Sequence, residues 1–410
     1  MPENIRRIYG TVRRKKFESK PLSNYLLVRI TSEPVIRGKG VKMNQNIEAA
    51  AALSAFPTEG TLIGVLPYGS GHINDTYAAY YQLESGECRR YLLQRINSRI
   101  FRDVDGLMRN IAGVTGYLAD QIRENGGNPR REALTLITPR DGGLYFTDPQ
   151  DMCWRMYEFI ENTFSVQIVE NPEDMYHSGL SFGNFQRLLA DYPAQSLTES
   201  IPDFHNTPKR YEAFLEAVEK DVLGRAAGVE KEITFVKSRA ADARALTGLL
   251  KSGELALRVS HNDTKINNIL FDKATGRGLC VIDLDTVMPG LYHYDFGDAI
   301  RSGANSAAED EPDVNKVEIR LDLFEAFTKG YLEAVGSVLS KKEKELLPMS
   351  AKLMTLECGI RFLTDYLAGD SYFKIHRPGH NLDRARTQFK MVADMEAKWS
   401  QMQLIVRSFT

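Results

Sequence analysis

The chain of 410 residues is long enough for two domains, because single hydrophobic cores rarely grow beyond about 250–300 residues. Its 43% hydrophobic and 26% charged residues are typical of a globular protein, and its net charge of −2 offers no basic field to nucleic acid. No apolar run reaches the roughly 18 residues of a membrane span, no apolar segment marks a signal peptide, and the four cysteines form no C-x-x-C pair. We therefore expect a cytoplasmic protein without a nucleic-acid or membrane partner and without a structural zinc site.

The N-terminal segment differs from the rest in charge. Residues 1–42 contain eleven Lys or Arg and three acidic residues, a local charge of +8. This composition predicts a solvated, disordered basic extension over residues 1–44, although a tail that binds nucleic acid or acidic lipid would look the same. A third hypothesis is that translation begins at Met43.

A β-rich region follows a helix predicted over residues 45–56. Apolar patterns predict strands at Thr61–Leu66, Tyr77–Leu83 and Arg90–Ile96. Between the first two strands, glycines and small polar residues suit a loop whose backbone N–H groups approach phosphate oxygens, although a plain hairpin turn would use the same residues. The candidate phosphate-binding residues of this loop are Ser70, Gly71, His72 and Asn74.

Helices dominate the remainder of the predicted secondary structure. Apolar residues at helical spacing predict a helix over Phe101–Asn125, two short strands at Leu134–Thr138 and Gly143–Phe146 follow, and Cys153–Ile160 is a strongly apolar strand. The helices predicted after residue 177 are Ser181–Tyr192, Tyr211–Val222, Glu230–Lys237, Ala240–Leu250, Val317–Val335, Lys344–Leu367 and Leu382–Gln403.

One stretch in the second half of the chain points most directly to chemistry. Apolar runs at Ile269–Phe271 and Leu279–Ile282, joined by a Gly-containing turn, predict a β-hairpin. The hairpin would bring Asn268 beside Asp283, with Asp263 just upstream. Such carboxylate and amide oxygens suit Mg²⁺, which keeps several waters and shares substrate phosphates. A further Asp that is not bound to metal can accept a proton from an attacking hydroxyl group.

These residues carry a resemblance to a known family. An Asp followed five residues later by an Asn is the spacing of the catalytic loop of protein kinases. The segments SHNDTKINN (260–268) and IDLDTVMPGLYHYDFGDAIR (282–301) resemble the aminoglycoside phosphotransferase and choline kinase branch of the protein-kinase-like superfamily. Within that branch, the chain is most similar to the N-acetylhexosamine 1-kinases. The likeness extends to YGSGHINDTY, IPDFHNTPKRY and RFLTDYLAGDSYF, and it covers roughly residues 60–395.

The resemblance implies a bilobal fold of the α+β class. An N-lobe of antiparallel sheet plus helix would span residues 45–160, and a larger, mainly helical C-lobe would span residues 161–410. ATP and Mg²⁺ are the implied cofactors. Asp263 would act as the catalytic base toward the acceptor hydroxyl, and Asn268 and Asp283 would bind the metal ion.

The resemblance also implies residues that hold the nucleotide. Arg95 takes the place of the strand lysine that binds the ATP phosphates in protein kinases, although an exposed strand arginine is the alternative. Backbone groups between Glu158 and Ile160 would contact adenine at the hinge. The helix over residues 101–125 departs from the kinase pattern, because its interior offers no Glu to pair with the strand cation. Its interior acids are Asp103, Asp105 and Asp120.

Five residues are candidates for acceptor recognition. His205 and Asn206 lie in a proline-bracketed loop and could reach a sugar hydroxyl or acetamido group, or could cap the loop. Arg301 could contact phosphate or substrate, or form a surface salt bridge. Arg361 lies among acidic residues at i, i+4 spacing, a pattern typical of a solvated salt-bridge ladder, but Tyr372 follows it and could stack on a sugar.

We therefore predict a small-molecule kinase that transfers the ATP γ-phosphoryl group to the anomeric hydroxyl of N-acetylglucosamine or N-acetylgalactosamine. One alternative is a kinase of the same fold that acts on a choline-like amino alcohol or an aminoglycoside. An aminoglycoside would require an acidic pocket, which the acids at residues 309–313 could supply. Another alternative is a nucleotide-binding regulator without catalysis. The acceptor, the nucleotide preference and the oligomeric state stay open at this point.

Overall fold

The computed structural model describes residues 47–69 and 73–410. The extension predicted over residues 1–44 and the loop candidates Ser70, Gly71 and His72 therefore lie outside the described residues. The described chain begins with a helical segment at residues 47–52, which continues into a 3₁₀ turn at Leu53–Ala55.

An antiparallel sheet forms the N-terminal part of the molecule. Its spatial order is β1-β2-β3-β6-β4, and β5 pairs with β6. The three long N-terminal strands and the apolar strand that follows residue 152 confirm the predicted elements, whereas the two strands between them are only two residues long. The strands are β1 (Thr61–Pro67), β2 (Asp75–Gln82), β3 (Cys88–Arg95), β4 (Leu136–Ile137), β5 (Phe146–Thr147) and β6 (Cys153–Glu158).

The two faces of this sheet pack against different partners. Side chains alternate along a strand, so Leu93 and Trp154 face outward onto the N-terminal helical segment with its Phe56. Leu92 and Tyr157 face the opposite side, where they pack against the first long helix. The face of the sheet that carries Leu92 and Tyr157 is therefore its inner face, which packs against the rest of the protein.

Helix α1 (Val104–Glu124) joins the sheet to the C-terminal part. Asp103 caps its N-terminus, because the Asp103 carboxylate accepts the Gly106 N–H. Its apolar stripe packs on the inner sheet face and also on Leu284 and Val287 of the C-terminal part. One hydrophobic core therefore spans both parts.

The C-terminal part is mainly helical and holds five short strands. Strands β10, β9 and β7 form one small sheet, and β11 pairs with β8 in another. A short helix, α2 (Pro129–Glu132), precedes β4 in the N-terminal part. The helices of the C-terminal part are α3 (Pro172–Leu188), α4 (Thr207–Lys220), α5 (Glu230–Lys237), α6 (Ala245–Lys251), α7 (Tyr292–Gly303), α8 (Leu321–Val335), α9 (Lys341–Glu345), α10 (Leu347–Leu367), α11 (His380–Ala397) and α12 (Trp399–Ser408). The strands are β7 (Thr163–Phe164), β8 (Arg258–Ser260), β9 (Ile269–Asp272), β10 (Gly278–Val281) and β11 (Met288–Gly290).

Several predicted helix boundaries are wrong for identifiable reasons. The helix predicted to begin at Ser181 begins at Pro172, since the Asn171 side chain accepts the Asp174 N–H and proline suits the first helical turn. The helix predicted from residue 382 to 403 is two helices that meet at Lys398, and the one predicted from residue 344 is divided at Leu346. The mixture of helices with antiparallel sheet confirms the predicted α+β class. None of the described helices is long and apolar enough to cross a membrane.

Helices α3 and α8 lie unusually close together because glycines line their contact. A Cβ atom at Gly179 would overlap the backbone of Phe327 and Tyr331, and Gly183 and Gly330 are equally tight. This contact places Gln186 of α3 deep in the interior, where its side-chain amide donates to the Asp295 carboxylate of α7.

We expect Gly179→Ala to lower the free energy of unfolding by about 1–3 kcal/mol, because the helices must move apart to accept the methyl group. Gly116→Ala in α1 is the matched control, since nothing lies within 4 Å of a Cβ there. Alanine should stabilise that helix position by about 0.5–1 kcal/mol. Urea unfolding would measure both, and equal stabilisation by the two substitutions would contradict the close contact.

Candidate active site

The hairpin predicted around residue 275 is confirmed. Strands β9 and β10 are antiparallel, with Ile269 opposite Val281, and the Ile282 N–H donates to the Asn268 carbonyl over 2.9 Å. Asn268 and Asp283 consequently lie side by side where the two strands meet the preceding loop. This is the arrangement that the sequence predicts.

Asp263 lies at the same place and is oriented from two directions. The Asn268 side-chain amide donates to the Asp263 carbonyl over 2.8 Å and to its carboxylate over 2.9 Å. The Lys265 ammonium lies 2.8 Å from the other carboxylate oxygen. The Asp263 side chain remains 28% exposed, so an incoming hydroxyl group can reach it. Sequence reasoning missed Lys265, although its position two residues after Asp263 could have indicated it.

A buried carboxylate, Asp295, fixes the loop that carries Asp263 (residues 260–268, the catalytic loop). The Asp295 carboxylate accepts the N–H groups of His261 and Asn262, the Ser260 hydroxyl and the Gln186 amide, all within 3.0 Å. Asn262 has a φ of +66°, a left-handed conformation that needs such support. Asp295 therefore braces the catalytic loop.

His261 is structural in this arrangement. Its Nδ1 accepts the Asp263 N–H, so Nε2 is the protonated nitrogen and donates to the Ile282 carbonyl over 3.0 Å. The ring is enclosed by Phe182 and Phe185. Because both ring nitrogens contact backbone groups, His261 holds the catalytic loop against the segment that carries Ile282 and Asp283.

Asp283 lies in an environment that disfavours its negative charge. It has a left-handed backbone, with a φ of +63°. Burial, followed by the nearby carboxylates of Asp285 and Asp263, raises the Asp283 pKa to about 6. A divalent cation would relieve this crowding. The Asn268 amide nitrogen is occupied by Asp263, which leaves its oxygen as the free ligand atom.

Asp283 and Asn268 fit a metal ion that draws most of its ligands from elsewhere. Among the described residues, no three His, Cys, Asp or Glu side chains are grouped so as to hold a metal ion. Mg²⁺ is commonly bound by one or two protein side chains, with substrate phosphates and waters completing the shell. The donor set therefore suits Mg²⁺ that arrives with a nucleotide.

The structure places Arg95 away from this cluster. Arg95 belongs to the outer face of the sheet, where its guanidinium lies 2.6 Å from the Asp75 carboxylate and 3.2 Å from that of Glu48. The expected phosphate contact is thus not supported, because strand alternation turns Arg95 outward and its neighbour Gln94 inward. Arg95 is the partly exposed strand arginine of the alternative interpretation.

The acids of helix α1 do not substitute for the missing Glu. Asp103 caps the helix, Asp105 accepts the Tyr145 hydroxyl, and Asp120 pairs with Arg123 at the surface. A different buried cation, Arg155 of β6, instead faces the cluster and lies 2.5 Å from Asp285. Sequence reasoning missed it, although an arginine within an apolar strand is unusual enough to indicate a role.

Asn74 and the hinge candidates lie on the sheet side of the cleft. The Asn74 amide donates to Asp285 over 2.5 Å. Strand β6 ends at Glu158, whose N–H donates to the Thr135 carbonyl, and the Ile160 carbonyl accepts the Thr163 hydroxyl over 2.9 Å. Tyr68 packs edge-on against Phe159 with ring centroids 5.3 Å apart, which encloses this end of the cleft.

His205 and Asn206 are both engaged by groups of the protein. The His205 ring is buried between the Glu357 carboxylate, 2.7 Å from Nδ1, and the Asn262 carbonyl, 3.4 Å from Nε2. It therefore links α10 to the catalytic loop. Asn206 caps helix α4, since its side-chain oxygen accepts the Lys209 N–H, and the capping alternative is the one observed.

Arg301 is buried rather than part of a surface salt bridge. It pairs with Asp298 at 2.8 Å and with Glu309 at 2.9 Å. The second oxygen of Asp298 accepts the Thr264 N–H, next to Asp263. Arg301 thus supports the catalytic loop through Asp298, and its donors are already engaged.

The predicted salt-bridge ladder of α10 is not solvated. Glu357 is 1% exposed and Asp365 is 5% exposed, and Asp365 accepts the N–H groups of residues 371–373. Arg361 lies between the rings of Phe204 and Phe373, with its guanidinium carbon 5.5 Å from each ring centroid. Tyr372 is 68% exposed and packs on Phe373, so its outer face is open to a ligand.

Comparison with known proteins places this geometry in a family. The model of a phosphotransferase enzyme family (APH) matches residues 64–330, more than half of the chain. A solved microcompartment-associated aminopropanol kinase has 17% identity and a TM-score of 0.56, covering 87% of this chain and 98% of its own. A choline kinase from Cryptosporidium parvum Iowa II has 16% identity and a TM-score of 0.51, covering 89% and 99%. A choline/ethanolamine kinase family protein from Mesorhizobium loti has 17% identity and a TM-score of 0.50, covering 88% and 99%.

These likenesses confirm the protein-kinase-like fold. At such low identities, these structural likenesses show the fold alone and do not identify the acceptor.

We expect Asp295→Asn to destabilise the protein by about 1–3 kcal/mol, because the amide group would turn a donor toward N–H groups that need an acceptor. Asp120→Asn, at an exposed ion pair, is the control and should change stability by less than about 0.5 kcal/mol. Urea unfolding of both variants would measure the difference. Equal stability of the two would show that Asp295 does not brace the catalytic loop.

Proposed function

This chain belongs to the phosphotransferase enzyme family, and we propose that it transfers the γ-phosphoryl group of ATP to the anomeric hydroxyl of an N-acetylhexosamine. The phosphotransferase activity follows from the family, and the acceptor is our proposal. The observation that carries it is a pair of arginines, Arg210 and Arg361, near the catalytic loop. Neither forms an ion pair with a described residue, although the buried Glu357 acts on both electrostatically.

In the proposed reaction, Asp263 accepts the proton of the acceptor hydroxyl while the oxygen attacks the γ-phosphorus. The bond between that phosphorus and the β,γ-bridging oxygen breaks, and ADP leaves. Asn268 and Asp283 would hold Mg²⁺, which would neutralise phosphate charge when bound. Lys265, whose ammonium lies 2.8 Å from the Asp263 carboxylate, would offer a positive charge to the transferred phosphoryl group. The chemistry then rests on orientation and on charge neutralisation rather than on a covalent intermediate.

Arg210 and Arg361 form a positive region near Asp263. Burial and the neighbouring Arg361 lower the pKa of Arg210. The buried Nε of Arg210 has no hydrogen-bond partner, and neither arginine forms an ion pair with any described residue. Since His205 lies against Glu357, one helical turn from Arg361, and also touches Asn262, this region adjoins the catalytic loop.

A positive region disfavours a cationic acceptor and suits a neutral polar one. Choline-like amino alcohols and aminoglycosides carry positive charge, which two guanidinium groups would repel. The carbonyl and hydroxyl oxygens of an N-acetylhexosamine can accept hydrogen bonds from them, and the exposed face of Tyr372 can stack on a sugar ring. The sequence resemblance to N-acetylhexosamine 1-kinases supports the same acceptor.

Two of the acidic residues that could have favoured an aminoglycoside pair with cations of the protein. Glu309 contacts Arg301, and Glu311 lies 3.2 Å from Lys316. Asp310 is hydrogen-bonded to His380, and Asp313 caps a 3₁₀ turn. The negative charges of Glu309 and Glu311 are therefore offset within the protein, which weighs against a polycationic acceptor.

The direct test is a Mg²⁺–ATP assay over N-acetylglucosamine, N-acetylgalactosamine, choline, ethanolamine and an aminoglycoside. We expect sugar 1-phosphates, and we expect Asp263→Asn to lower kcat by about 10²–10⁴-fold while ATP still binds, because the base is lost. Turnover of a cationic acceptor instead of the sugars would overturn the acceptor proposal. Absence of turnover with every acceptor, despite nucleotide binding, would favour the regulator.

We also expect Arg361→Met to raise the KM for the sugar about 10–100-fold, since a charged hydrogen bond is lost, while the KM for ATP stays unchanged. Arg123→Met, at the surface of α1, is the matched control and should change neither constant. Steady-state kinetics would measure both variants. An unchanged sugar KM in Arg361→Met would show that the positive region does not belong to the acceptor site.

A further inference from the structure

A buried polar network connects the N-terminal sheet to the segment after β10 that carries Asp283. Arg155 is 1% exposed, which is unusual for an arginine inside an apolar strand. Its Nε donates to the Gln94 side-chain oxygen over 2.9 Å, and the Gln94 amide donates to the Thr76 hydroxyl over 3.0 Å. Three neighbouring strands of the sheet thus hold the Arg155 side chain in one orientation.

The partner of Arg155 on the other side of the cleft is Asp285. One carboxylate oxygen lies 2.5 Å from Arg155, and the other accepts the Asn74 amide over 2.5 Å. The Asp285 carbonyl accepts the Ser200 hydroxyl over 2.8 Å, which ties the backbone to the C-terminal part. Because both carboxylate oxygens are engaged by protein groups, Asp285 is held as an anchor beside Asp283.

Asn74 brings the loop between β1 and β2 into the same network. Its amide nitrogen binds Asp285, and its oxygen accepts the Asn97 N–H over 3.0 Å. The loop that would cover the nucleotide phosphates is therefore tied to the residue two positions after the proposed metal ligand Asp283.

We propose that Arg155 is a positioning residue. Through Asp285 and Asn74, it fixes the position of the β1–β2 loop at Asn74 relative to the segment after β10 that carries Asp283. The inference rests on the proposed use of ATP and a metal ion, and it does not depend on the acceptor. Protein kinases obtain a comparable connection from a strand lysine paired with a helix glutamate. In this chain, the inward strand residue is the neutral Gln94, and the α1 acids are engaged elsewhere.

Energetics favour a paired role for Arg155. A buried charge is costly unless it is paired and hydrogen-bonded. Arg155 and Asp285 pair with each other, Arg155 Nε donates to Gln94, and Asp285 accepts the Asn74 amide. A guanidinium can contact Gln94 and Asp285 at once because its donors are spread over a planar fork, whereas a lysine presents a single point of charge. Arg155→Lys should therefore keep the charge and lose the simultaneous contact.

The test compares Arg155→Lys and Asn74→Ala, singly and combined, with Arg89→Lys as the matched control. Arg89 lies on β3 and pairs with Glu59 at the surface. We expect Arg155→Lys and Asn74→Ala each to weaken Mg²⁺–ATP binding about 10–100-fold in titration calorimetry, with the sugar KM unchanged. The double variant should lose less than the product of the two single effects, because both residues act through Asp285. The control should bind ATP as the wild type does.

Unchanged ATP affinity in Arg155→Lys or in Asn74→Ala would overturn the proposal, as would fully independent effects in the double variant. If Arg155→Lys fails to fold, the partly exposed Asn74→Ala decides the outcome alone. A wild-type protein that binds Mg²⁺–ATP but phosphorylates no sugar would overturn the acceptor proposal. The Arg155 proposal could still be tested by the same ATP-binding measurements. A wild type that binds no nucleotide would overturn both.

Discussion

Three carboxylates, those of Asp263, Asp283 and Asp285, crowd into one partly buried cleft, and the surrounding structure can be understood from the need to offset their charge. Two of them have a cationic partner. Lys265 pairs with Asp263, and Arg155 pairs with Asp285. Asp283 forms no ion pair with a described residue and has the raised pKa, so it is the carboxylate whose charge a metal ion would offset. The distribution of cations thus separates the roles of three chemically similar side chains.

The packing around the cleft maintains that separation. Close contact between α3 and α8 brings Gln186 to Asp295, and Asp295 in turn holds the backbone of the catalytic loop. Asn262 and Asp283 have left-handed backbones, whose strain is tolerated because hydrogen bonds and burial determine these positions from several sides. Glycine packing far from the chemistry therefore contributes to the orientation of Asp263.

The predictable part of the site is the part that local sequence determines. The Asn268–Asp283 pair follows from a hairpin with a short turn, and its register needs only local spacing. Arg95 could not be placed in the same way, since one residue of register decides which sheet face a side chain occupies. The role of Arg155 depends on its ion pair with Asp285, which is distant in sequence. His205 was expected at a ligand and instead contacts Glu357, because a polar residue in a loop looks the same whether it binds a ligand or a helix.

The position of the arginine-lined region along the chain has a consequence for how relatives diverge. The family match ends at residue 330, whereas Arg361 and Tyr372 lie on α10 and in the segment after it. The catalytic loop lies within the matched region, whereas the surface proposed to select the acceptor is divided, with Arg210 inside that region and Arg361 and Tyr372 beyond it. Replacement of the C-terminal helices during evolution could change the acceptor while the catalytic loop and the metal ligands stay intact. Likeness within the matched region consequently carries information about reaction type and much less about which alcohol is phosphorylated.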